Sequence, residues 1–450
     1  MNKKEFLKSA IEKAEWTKTV VIQYNALENI SEFFKALFDK THPLIFADPN
    51  TFEVAGKKVW DNLKKNGLNP YEPFVLDDPQ PYADYEKVDL FSNKIKSFEC
   101  IPIAVGSGTI NDLVKLSSWL NKKKYMVVAT AASMDGYTAY GASIAKDGFK
   151  QTFFCPAPTA IIADTKILSE APPYLNAAGY GDLVAKTTAG SDWIIADDLG
   201  IEHIDKVAWD YAQKYLKSWI QNPEGIQKGD LESIENLIFG LVMTGLAMQK
   251  VHSSRPASGA EHQFSHLWDI EGHTYKGHHP FHGYKVGIGT IASASFHSII
   301  VDLDINYIKH KAEKNIETWA PFYEIEKEIF NLFPDTKIRE RVIEETKAKY
   351  PDKEKLAERL RILLKRWDTL KNKLKERAVS PKDIKQMLKR AGAAHSPSQI
   401  GIPMDRMVKT CRKAYFIRRR YTILDFITEF GMWDDVIQKT FEEKELWQDE

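Results

Sequence analysis

The chain has 450 residues, a formal net charge of zero and 43% hydrophobic residues. This length accommodates two or three domains, and the apolar content is that of a folded globular protein. The lack of a basic excess argues against a nucleic-acid partner. The three cysteines are widely spaced and form no CxxC motif, which argues against a disulfide framework or a cysteine-based zinc site.

The first residues, MNKKEFLKSAIEKAEWTK, form a charged amphipathic stretch without the apolar core of a signal peptide. No continuous apolar run approaches the length needed to cross a bilayer. We therefore expect a cytoplasmic protein without a membrane span.

Short apolar strands and amphipathic helices alternate in the first 164 residues. Strands are predicted at 19–22, 43–47, 73–76, 101–105, 125–129 and 160–164, and helices at 26–38, 51–66, 83–97 and 109–122. This alternation is typical of a mostly parallel sheet with helices on both faces. We predict an α/β domain over 1–164.

Helical patterns dominate the rest of the chain. Helices are predicted at about 201–222, 230–251 and 258–270, and the segment of about 310–390 is charged and amphipathic, as in solvated helices. We predict an all-helical domain over 165–450 and interpret 310–390 as a surface elaboration or an oligomer contact.

A glycine turn follows the strand predicted at 101–105. Gly106, Ser107 and Gly108 lie between this strand and a helix. Such a turn lets the backbone approach a pyrophosphate, and the helix N-terminus supplies free N–H groups. A tight turn without a ligand explains the same residues equally well.

Asp48 ends an earlier strand. A carboxylate there can accept hydrogen bonds from an adenine ribose and would repel the extra phosphate of NADP. Asp48-Pro49-Asn50 also fits simple turn chemistry. Together, and in this order along the chain, Asp48 and the glycine turn support a dinucleotide site that favours NAD(H) over NADP(H).

Polar residues also follow the strand at 125–129. Thr130 and Ser133 can hydrogen-bond a cofactor, and Asp135 can bind a substrate hydroxyl. The alternative is that Asp135 and the next glycine form only a turn before a hairpin of 139–143 against 151–154.

Eight of the twelve histidines fall between residues 252 and 297. His262 and His266 are four apart and share one face of a helix. His278, His279 and His282 follow. Imidazoles are common ligands of zinc, nickel and iron, and a catalytic site needs three protein ligands. Residue spacing does not choose among the second group.

Asp182 is a candidate third ligand, because a carboxylate with two imidazoles suits these metals. The alternative is structural. Gly179-Tyr-Gly is predicted to open a helix, which would put Asp182 in the first turn, where the helix dipole favours a carboxylate.

Six motifs of the chain resemble the sn-glycerol-1-phosphate dehydrogenases, closest to the bacterial branch. They are GSGTINDL (106–113), TAASMDGY (130–137), GYGDLVAK (179–186), SRPASGAEHQFSH (254–266), FHGYKVGIGT (281–290) and RYTILD (420–425). This family lies in the iron-containing alcohol dehydrogenase superfamily, with glycerol dehydrogenase and dehydroquinate synthase as relatives. The resemblance covers about 19–300 and 390–430.

The resemblance implies an N-terminal α/β NAD(P)-binding domain and an all-α C-terminal metal-binding domain, the dehydroquinate synthase-like fold. It implies metal ligands at Asp182, His262 and His282, where the His-Gly motif selects His282. It places Gly106, Ser107, Gly108, Asp112, Thr130 and Ser133 at the cofactor and Asp135 at the substrate. His266 is a substrate-side candidate and a proton relay.

The implied reaction is reduction of dihydroxyacetone phosphate by NADH or NADPH. The metal would be zinc or nickel, with iron less favoured, and a homodimer is expected by analogy with the family. Arg255, Lys186 and Lys285 lie in or beside the motifs and are candidates for the substrate phosphate. The alternatives are a polyol dehydrogenase, a dehydroquinate-synthase-like lyase and a non-catalytic protein that keeps the fold.

Overall fold

The computed structural model describes residues 2–38, 41–146 and 149–449. It contains eight named strands, which are β1 (Thr19–Gln23), β2 (His42–Ala47), β3 (Phe74–Val75), β4 (Cys100–Gly106), β5 (Met126–Ala129), β6 (Ala142–Lys146), β7 (Phe149–Phe153) and β8 (Ala160–Asp164). All strands end by Asp164, and only helices and loops follow in the described chain.

The helices up to residue 251 are α1 (Lys3–Glu12), α2 (Ile30–Leu37), α3 (Pro49–Thr51), α4 (Lys57–Lys65), α5 (Tyr85–Lys96), α6 (Gly108–Leu120), α7 (Thr165–Glu170), α8 (Pro173–Val184), α9 (Lys186–Asp198), α10 (Lys206–Gln213), α11 (Leu216–Trp219), α12 (Pro223–Lys228) and α13 (Leu231–Val251). A π-helical turn over Phe52–Gly56 joins α3 to α4. The helix predicted at 201–222 is therefore two shorter ones, α10 and α11.

The later helices are α14 (Ala260–Ile270), α15 (His282–Asp302), α16 (Ile305–Thr318), α17 (Phe322–Leu332), α18 (Thr336–Lys347), α19 (Lys353–Arg377), α20 (Pro381–Arg390), α21 (Met404–Phe416), α22 (Ile423–Glu429), α23 (Trp433–Glu442) and α24 (Lys444–Trp447).

The chain divides into two compact units that are not continuous in sequence. Unit 1 comprises Met1–Leu183, Val207–Ser254 and Arg390–Ala393, and unit 2 comprises Val184–Lys206, Arg255–Lys389 and Ala394–Glu450.

Unit 1 contains a six-stranded sheet in the order β1-β8-β5-β4-β2-β3, with every pair parallel. The strands alternate their side chains between two faces. Ile45, Val105 and Val128 pack on one face with residues of α2 and α4, and Phe46 lies on the other, 4.8 Å from the ring of Phe91 on α5. The predicted parallel sheet with helices on both faces is confirmed.

The second sheet of unit 1 is an antiparallel hairpin of β6 and β7, with Ser143 opposite Thr152. The hairpin predicted after Asp135 is therefore present, with bounds shifted by a few residues.

Helix α13 has the length and apolar composition of a membrane span, with a mean hydropathy of 1.3. Isolated polar residues interrupt α13, so it is not a continuous apolar run of the kind that the sequence lacks. Within the structure 83% of its most apolar window is buried, as in the core helix of a folded unit.

The regular elements named in unit 2 are all helices, joined by loops and turns. Its long helix α19 buries one face, which contains Leu356, Leu363 and Trp367, although the helix is rich in charge. Lys373 of α19 pairs with Asp198 of α9 at 2.9 Å. The charged segment of 310–390 is therefore part of the packing of unit 2 as well as a surface.

Candidate metal centre and cofactor edge

The predicted cofactor residues follow the carboxyl ends of neighbouring parallel strands. Asp48 follows β2, Ser107 follows β4, and Thr130 follows β5. The chain runs from β2 outward to β3, whereas it runs from β4 in the opposite direction to β5. Strand order therefore switches between β2 and β4, the position where open α/β sheets bind ligands.

The glycine turn places the N-terminus of α6 at this switch. Ser107 precedes the helix, and its side chain makes no cap hydrogen bond among the described residues. The first N–H groups of a helix lack partners within the helix and attract anions. A Cβ on Gly106 would lie 2.6 Å from that of Ile110, and one on Gly108 would lie 3.1 Å from Met134. The turn is thus both tight and suited to a pyrophosphate.

Asp48 is buried and caps the next helix. Its Oδ1 accepts a hydrogen bond from the Thr51 N–H at 2.9 Å, and its own N–H donates to Thr51 Oγ1 at 3.1 Å. The turn chemistry considered for Asp48 is therefore present. The second carboxylate oxygen is the one that a ribose hydroxyl would use.

Asp112 faces the β6–β7 hairpin. Its carboxylate accepts hydrogen bonds from the Ser143 N–H at 3.1 Å and from the Asn111 amide at 3.2 Å. Burial raises the pKa of this carboxyl, although nearby Lys115 acts in the opposite direction. These contacts tie α6 to the hairpin and account for Asp112 without a cofactor.

The loop after β5 is anchored to both neighbouring elements. The Thr130 N–H donates to the Gly106 carbonyl at 3.2 Å. Ser133 is partly buried. The Asp135 N–H donates to Asp182 Oδ2 at 3.1 Å, so the predicted substrate residue lies beside the predicted metal ligand.

Lys115 organises this loop and was missed by sequence reasoning. Its fully buried Nζ donates to the carbonyls of Gly136, Ala139 and Gly141 at 2.8, 3.1 and 3.1 Å. A lysine in a helix is normally expected to reach solvent. The three carbonyl groups that bind Lys115 come from a loop more than twenty residues later, so the local sequence of α6 does not reveal them. A lysine aligned with apolar positions was the only available signal.

The prediction that Asp182 lies in a first helical turn was wrong. Asp182 is fully buried in the last turn of α8, which begins at Pro173. The C-terminal end of a helix is electrostatically negative, so the dipole disfavours a carboxylate there. The dipole thus does not explain Asp182, whereas a bound cation would.

Gly179 sits inside α8 rather than opening it. A Cβ at this position would lie 1.8 Å from the carbonyl oxygen of Ala132. Only glycine therefore permits the contact between α8 and the loop after β5.

Three imidazoles meet where α14 packs on α15. The ring centroids of His262 and His282 lie 5.4 Å apart, and His266 lies 6.2 and 6.1 Å from them. A Cβ on Gly289 of α15 would lie 2.4 Å from the Glu261 carbonyl oxygen, so this glycine lets the helices approach. This small residue of α15 thus permits close packing of the two helices.

His278 and His279 have other surroundings. Both are exposed in the turn before α15, and His279 Nδ1 lies 3.0 Å from the His273 carbonyl oxygen. The structure thus places His282, of the three histidines considered, beside His262.

Asp182, His262 and His282 each present one ligand atom, and these atoms lie within 4.8 Å of one another. Asp182 and His262 are buried, and His282 is partly buried. One carboxylate oxygen and two imidazole nitrogens form a donor set that suits zinc, nickel or ferrous iron.

Glu261 and Ser265 contact the Nδ1 atoms of His262 and His282. Glu261 Oε1 lies 2.8 Å from His262 Nδ1, and Ser265 Oγ lies 3.2 Å from His282 Nδ1. Burial alone raises the pKa of Glu261, but hydrogen bonds from His262, Gly259 and Thr188 outweigh it and lower the pKa. Both residues were missed, although their positions one and three residues from predicted ligands were visible.

Asp192 of α9 holds the beginning of α14. Its Oδ2 accepts a hydrogen bond from the Ala260 N–H at 2.7 Å, and its Oδ1 accepts one from the Ile423 N–H at 2.8 Å. A Cβ on Gly259 would lie 2.4 Å from Asp192 Oδ2. One buried carboxylate therefore links the SGAEH segment to the RYTILD segment.

The three candidate cations for a substrate phosphate are buried. Arg255 donates to the carbonyls of Tyr421 and Asp192, both at 2.9 Å, and its Nε lies 3.2 Å from Glu202. These contacts account for Arg255 without a substrate.

Lys285 of α15 forms an ion pair with Asp269 of α14. Lys186 is the first residue of α9 and is fully buried.

Comparison with known proteins identifies the family. Residues 21–172 match the model of iron-containing alcohol dehydrogenases. A glycerol-1-phosphate dehydrogenase (NAD(P)+) of Geobacillus thermodenitrificans is 28% identical over 417 residues, which cover 91% of this chain and 92% of the relative. One of Halalkalibacterium halodurans is 33% identical over 301 residues, 66% of this chain and 71% of the relative. The chain belongs to the glycerol-1-phosphate dehydrogenase family of the iron-containing alcohol dehydrogenases.

The fold is found in solved structures of this superfamily. A probable glycerol dehydrogenase from Sinorhizobium meliloti superposes with a TM-score of 0.59 and 12% identity, over 94% of this chain and 98% of that one. This likeness confirms the predicted fold, an α/β region followed by a helical region.

Proposed function

We propose that this chain is a metal-dependent oxidoreductase that reduces dihydroxyacetone phosphate to sn-glycerol 1-phosphate with NADH or NADPH. The observation that carries the proposal is the alignment, along 91% of the chain, with a relative named glycerol-1-phosphate dehydrogenase (NAD(P)+). A protein that only kept the fold would not need a carboxylate and two imidazoles with their ligand atoms close together. This donor set therefore supports an enzyme rather than a scaffold.

Asp182, His262 and His282 would hold one divalent cation. Asp182 is fully buried in the last turn of α8, where the helix dipole disfavours a carboxylate, so a bound cation would stabilise its charge. When bound, such an ion supplies Lewis-acid polarisation of a carbonyl oxygen. We propose zinc or nickel ahead of iron.

The strand edge of unit 1 would bind the dinucleotide. Support for the pyrophosphate site comes from the N-terminus of α6, where Ser107 makes no side-chain cap hydrogen bond among the described residues, and from Thr130, which is hydrogen-bonded to Gly106. Asp48 would accept a ribose hydrogen bond through its second oxygen and so favour NADH. The dinucleotide carries the hydride, and the chain binds and orients it.

Asp135 and Lys186 would contact the substrate, with Asp135 at a hydroxyl and Lys186 at the phosphate. Lys186 follows Asp182 by four residues in the GYGDLVAK motif, and its cationic side chain suits a phosphate. His266 would deliver a proton to the product oxygen, since it is partly exposed beside the other two imidazoles.

The test is NADH oxidation by metal-stripped protein that is re-supplied separately with zinc, nickel and ferrous iron. We expect turnover of dihydroxyacetone phosphate with one metal and much slower turnover of unphosphorylated dihydroxyacetone. Preference for the unphosphorylated ketone would instead indicate a polyol dehydrogenase. Absence of turnover with every ketone would contradict the proposal and leave the lyase or a binding protein.

Two histidine variants provide the matched control. His262→Ala should abolish both turnover and metal retention, whereas His278→Ala removes an exposed imidazole from the same segment and should change neither. Retained activity in His262→Ala would refute the ligand set.

A cytoplasmic homodimer is part of the proposal, and size-exclusion chromatography with light scattering would check the assembly.

A further inference from the structure

We propose that Glu261 is a positioning residue of the metal centre, whose carboxylate holds the proton of His262 on Nδ1 and so directs the Nε2 lone pair to the ion. The inference rests on the metal site proposed above. It concerns a residue next to a proposed ligand in sequence that would act through His262.

The contact between Glu261 and His262 fixes the tautomer. Glu261 Oε1 lies 2.8 Å from His262 Nδ1. An ionised carboxylate only accepts hydrogen bonds, so Nδ1 must carry the proton. Neutral imidazole has one N–H, and Nε2 is therefore left with the lone pair that a metal requires.

Glu261 is itself held in place from two sides. Its fully buried carboxylate also accepts hydrogen bonds from the Gly259 N–H and from Thr188 Oγ1, the latter at 2.8 Å. Thr188 belongs to α9, so the orientation of His262 depends on a neighbouring helix as well as on α14. Three donors to one buried carboxylate also explain why a charge is tolerated there.

Ser265 provides a weaker counterpart for His282. Glu261 and Ser265 are four residues apart and share one face of α14. Ser265 Oγ lies 3.2 Å from His282 Nδ1, against 2.8 Å for the carboxylate contact of His262. Hydrogen bonds to ionised acceptors are stronger than those to neutral hydroxyls, so Glu261 should contribute more to metal affinity than Ser265.

The test measures zinc affinity of the full chain by competition with a chromogenic chelator. We expect zinc to bind roughly 10- to 100-fold more weakly to Glu261→Gln than to the unmodified chain, as for other outer contacts of metal-bound histidines. Ser265→Ala should give a smaller loss. Glu271→Gln changes a carboxylate at the end of the same helix that pairs with Arg406, and it should leave affinity unchanged.

Two further variants separate the possible failures. His262→Ala tests the proposed metal site, and unchanged zinc affinity there would overturn that site. Loss of affinity in His262→Ala with unchanged affinity in Glu261→Gln would overturn only the role of Glu261. Should Glu261→Gln fail to fold, Thr188→Val removes one donor to Glu261 without touching an imidazole. A decrease of a few-fold in zinc affinity is then expected, and no decrease would contradict the proposal.

Discussion

Two regions offer different kinds of groups to a ligand. One is the carboxyl-terminal end of the sheet in unit 1, here called the cofactor edge, and the other is the helix pair α14 and α15 in unit 2. At the strand edge the groups offered to a ligand are mostly backbone, namely strand ends and the first turn of α6. At α14 and α15 the candidate ligands are the imidazole side chains of His262 and His282, whose Nδ1 atoms lie beside Glu261 and Ser265 respectively. A backbone site needs only small residues at a few positions, whereas a side-chain site requires specific residues and leaves a specific motif.

This contrast explains how much could be predicted from each region. Gly106-Ser107-Gly108 alone was ambiguous, because a tight turn and a pyrophosphate site use the same residues. The histidine segment was more informative. Its family motif selected His282 over His278 as a ligand; this choice stays a prediction, and the structure places His282 beside His262.

Arg255→Ala should cause the largest loss of unfolding free energy, and it tests how far unit 2 depends on specific buried side chains. Removing the guanidinium leaves the Tyr421 and Asp192 carbonyls and Glu202 without their buried partner. Glu202 is 41% exposed, so most of the loss comes from the two carbonyls, whose hydrogen bonds to a charged group contribute about 1.5–3 kcal/mol each; we expect a loss of about 3–5 kcal/mol in unfolding free energy. Urea denaturation followed by circular dichroism would measure the loss.

Arg419→Ala is the control for Arg255, because Arg419 is exposed and pairs with Glu344 and Glu345 at the surface. Its cost should stay under about 1 kcal/mol. An Arg255→Ala protein of normal stability with a selectively raised KM for the phosphorylated substrate would instead establish Arg255 as a substrate contact.

Lys115→Met should have the next largest effect, and it tests the buried side chain that holds the loop after β5. Three loop carbonyls lose their donor, and hydrogen bonds to charged groups contribute about 1.5–3 kcal/mol each before relaxation. We expect a loss of roughly 3 kcal/mol in urea denaturation. Lys124→Met replaces an exposed lysine nearby and should be neutral; equal stability of the two variants would contradict the role of Lys115.

Gly106→Ala tests whether the turn after β4 binds the dinucleotide. The added methyl group would lie 2.6 Å from Ile110 Cβ and must displace the start of α6. We expect the Kd for NADH to rise about tenfold, or ~1.4 kcal/mol, while zinc affinity stays unchanged. Fluorescence titration with NADH would measure it, and an unaltered Kd would return the turn to a purely structural role.

Asp48→Asn should have the smallest effect. Asparagine caps a helix as well as aspartate does, so the fold should be kept while the charge is lost. The ratio of kcat/KM for NADH over NADPH should fall a few-fold, since repulsion of the extra phosphate disappears. Asp84→Asn, at the N-cap of α5, provides a control cap away from the switch point, and an equal change there would dismiss Asp48 as the determinant.

Local pattern predicted the elements well and the buried polar contacts poorly. Strands β2, β4 and β8 lie within a residue of their predicted bounds, since each is a short apolar run. Asp182 was assigned to the wrong end of its helix, because Gly179 resembles a helix start but serves close packing. Lys115 and Asp192 were missed because their partners lie tens of residues away, and no local spacing encodes such pairs.

The two close approaches made through Gly179 and Gly289 have a consequence for the tolerance of the chain to mutation. At each position a Cβ would overlap a main-chain carbonyl oxygen, which cannot be repacked as a side chain can. A saturation library at these two positions, sorted for activity, should return glycine alone. Gly287 should also return alanine, because its Cβ would lie 3.2 Å from the end of the flexible Leu388 side chain and an ordinary 3.6 Å from the Ala394 carbonyl oxygen. The map of intolerant glycines would thus trace where polypeptide backbones touch in this fold.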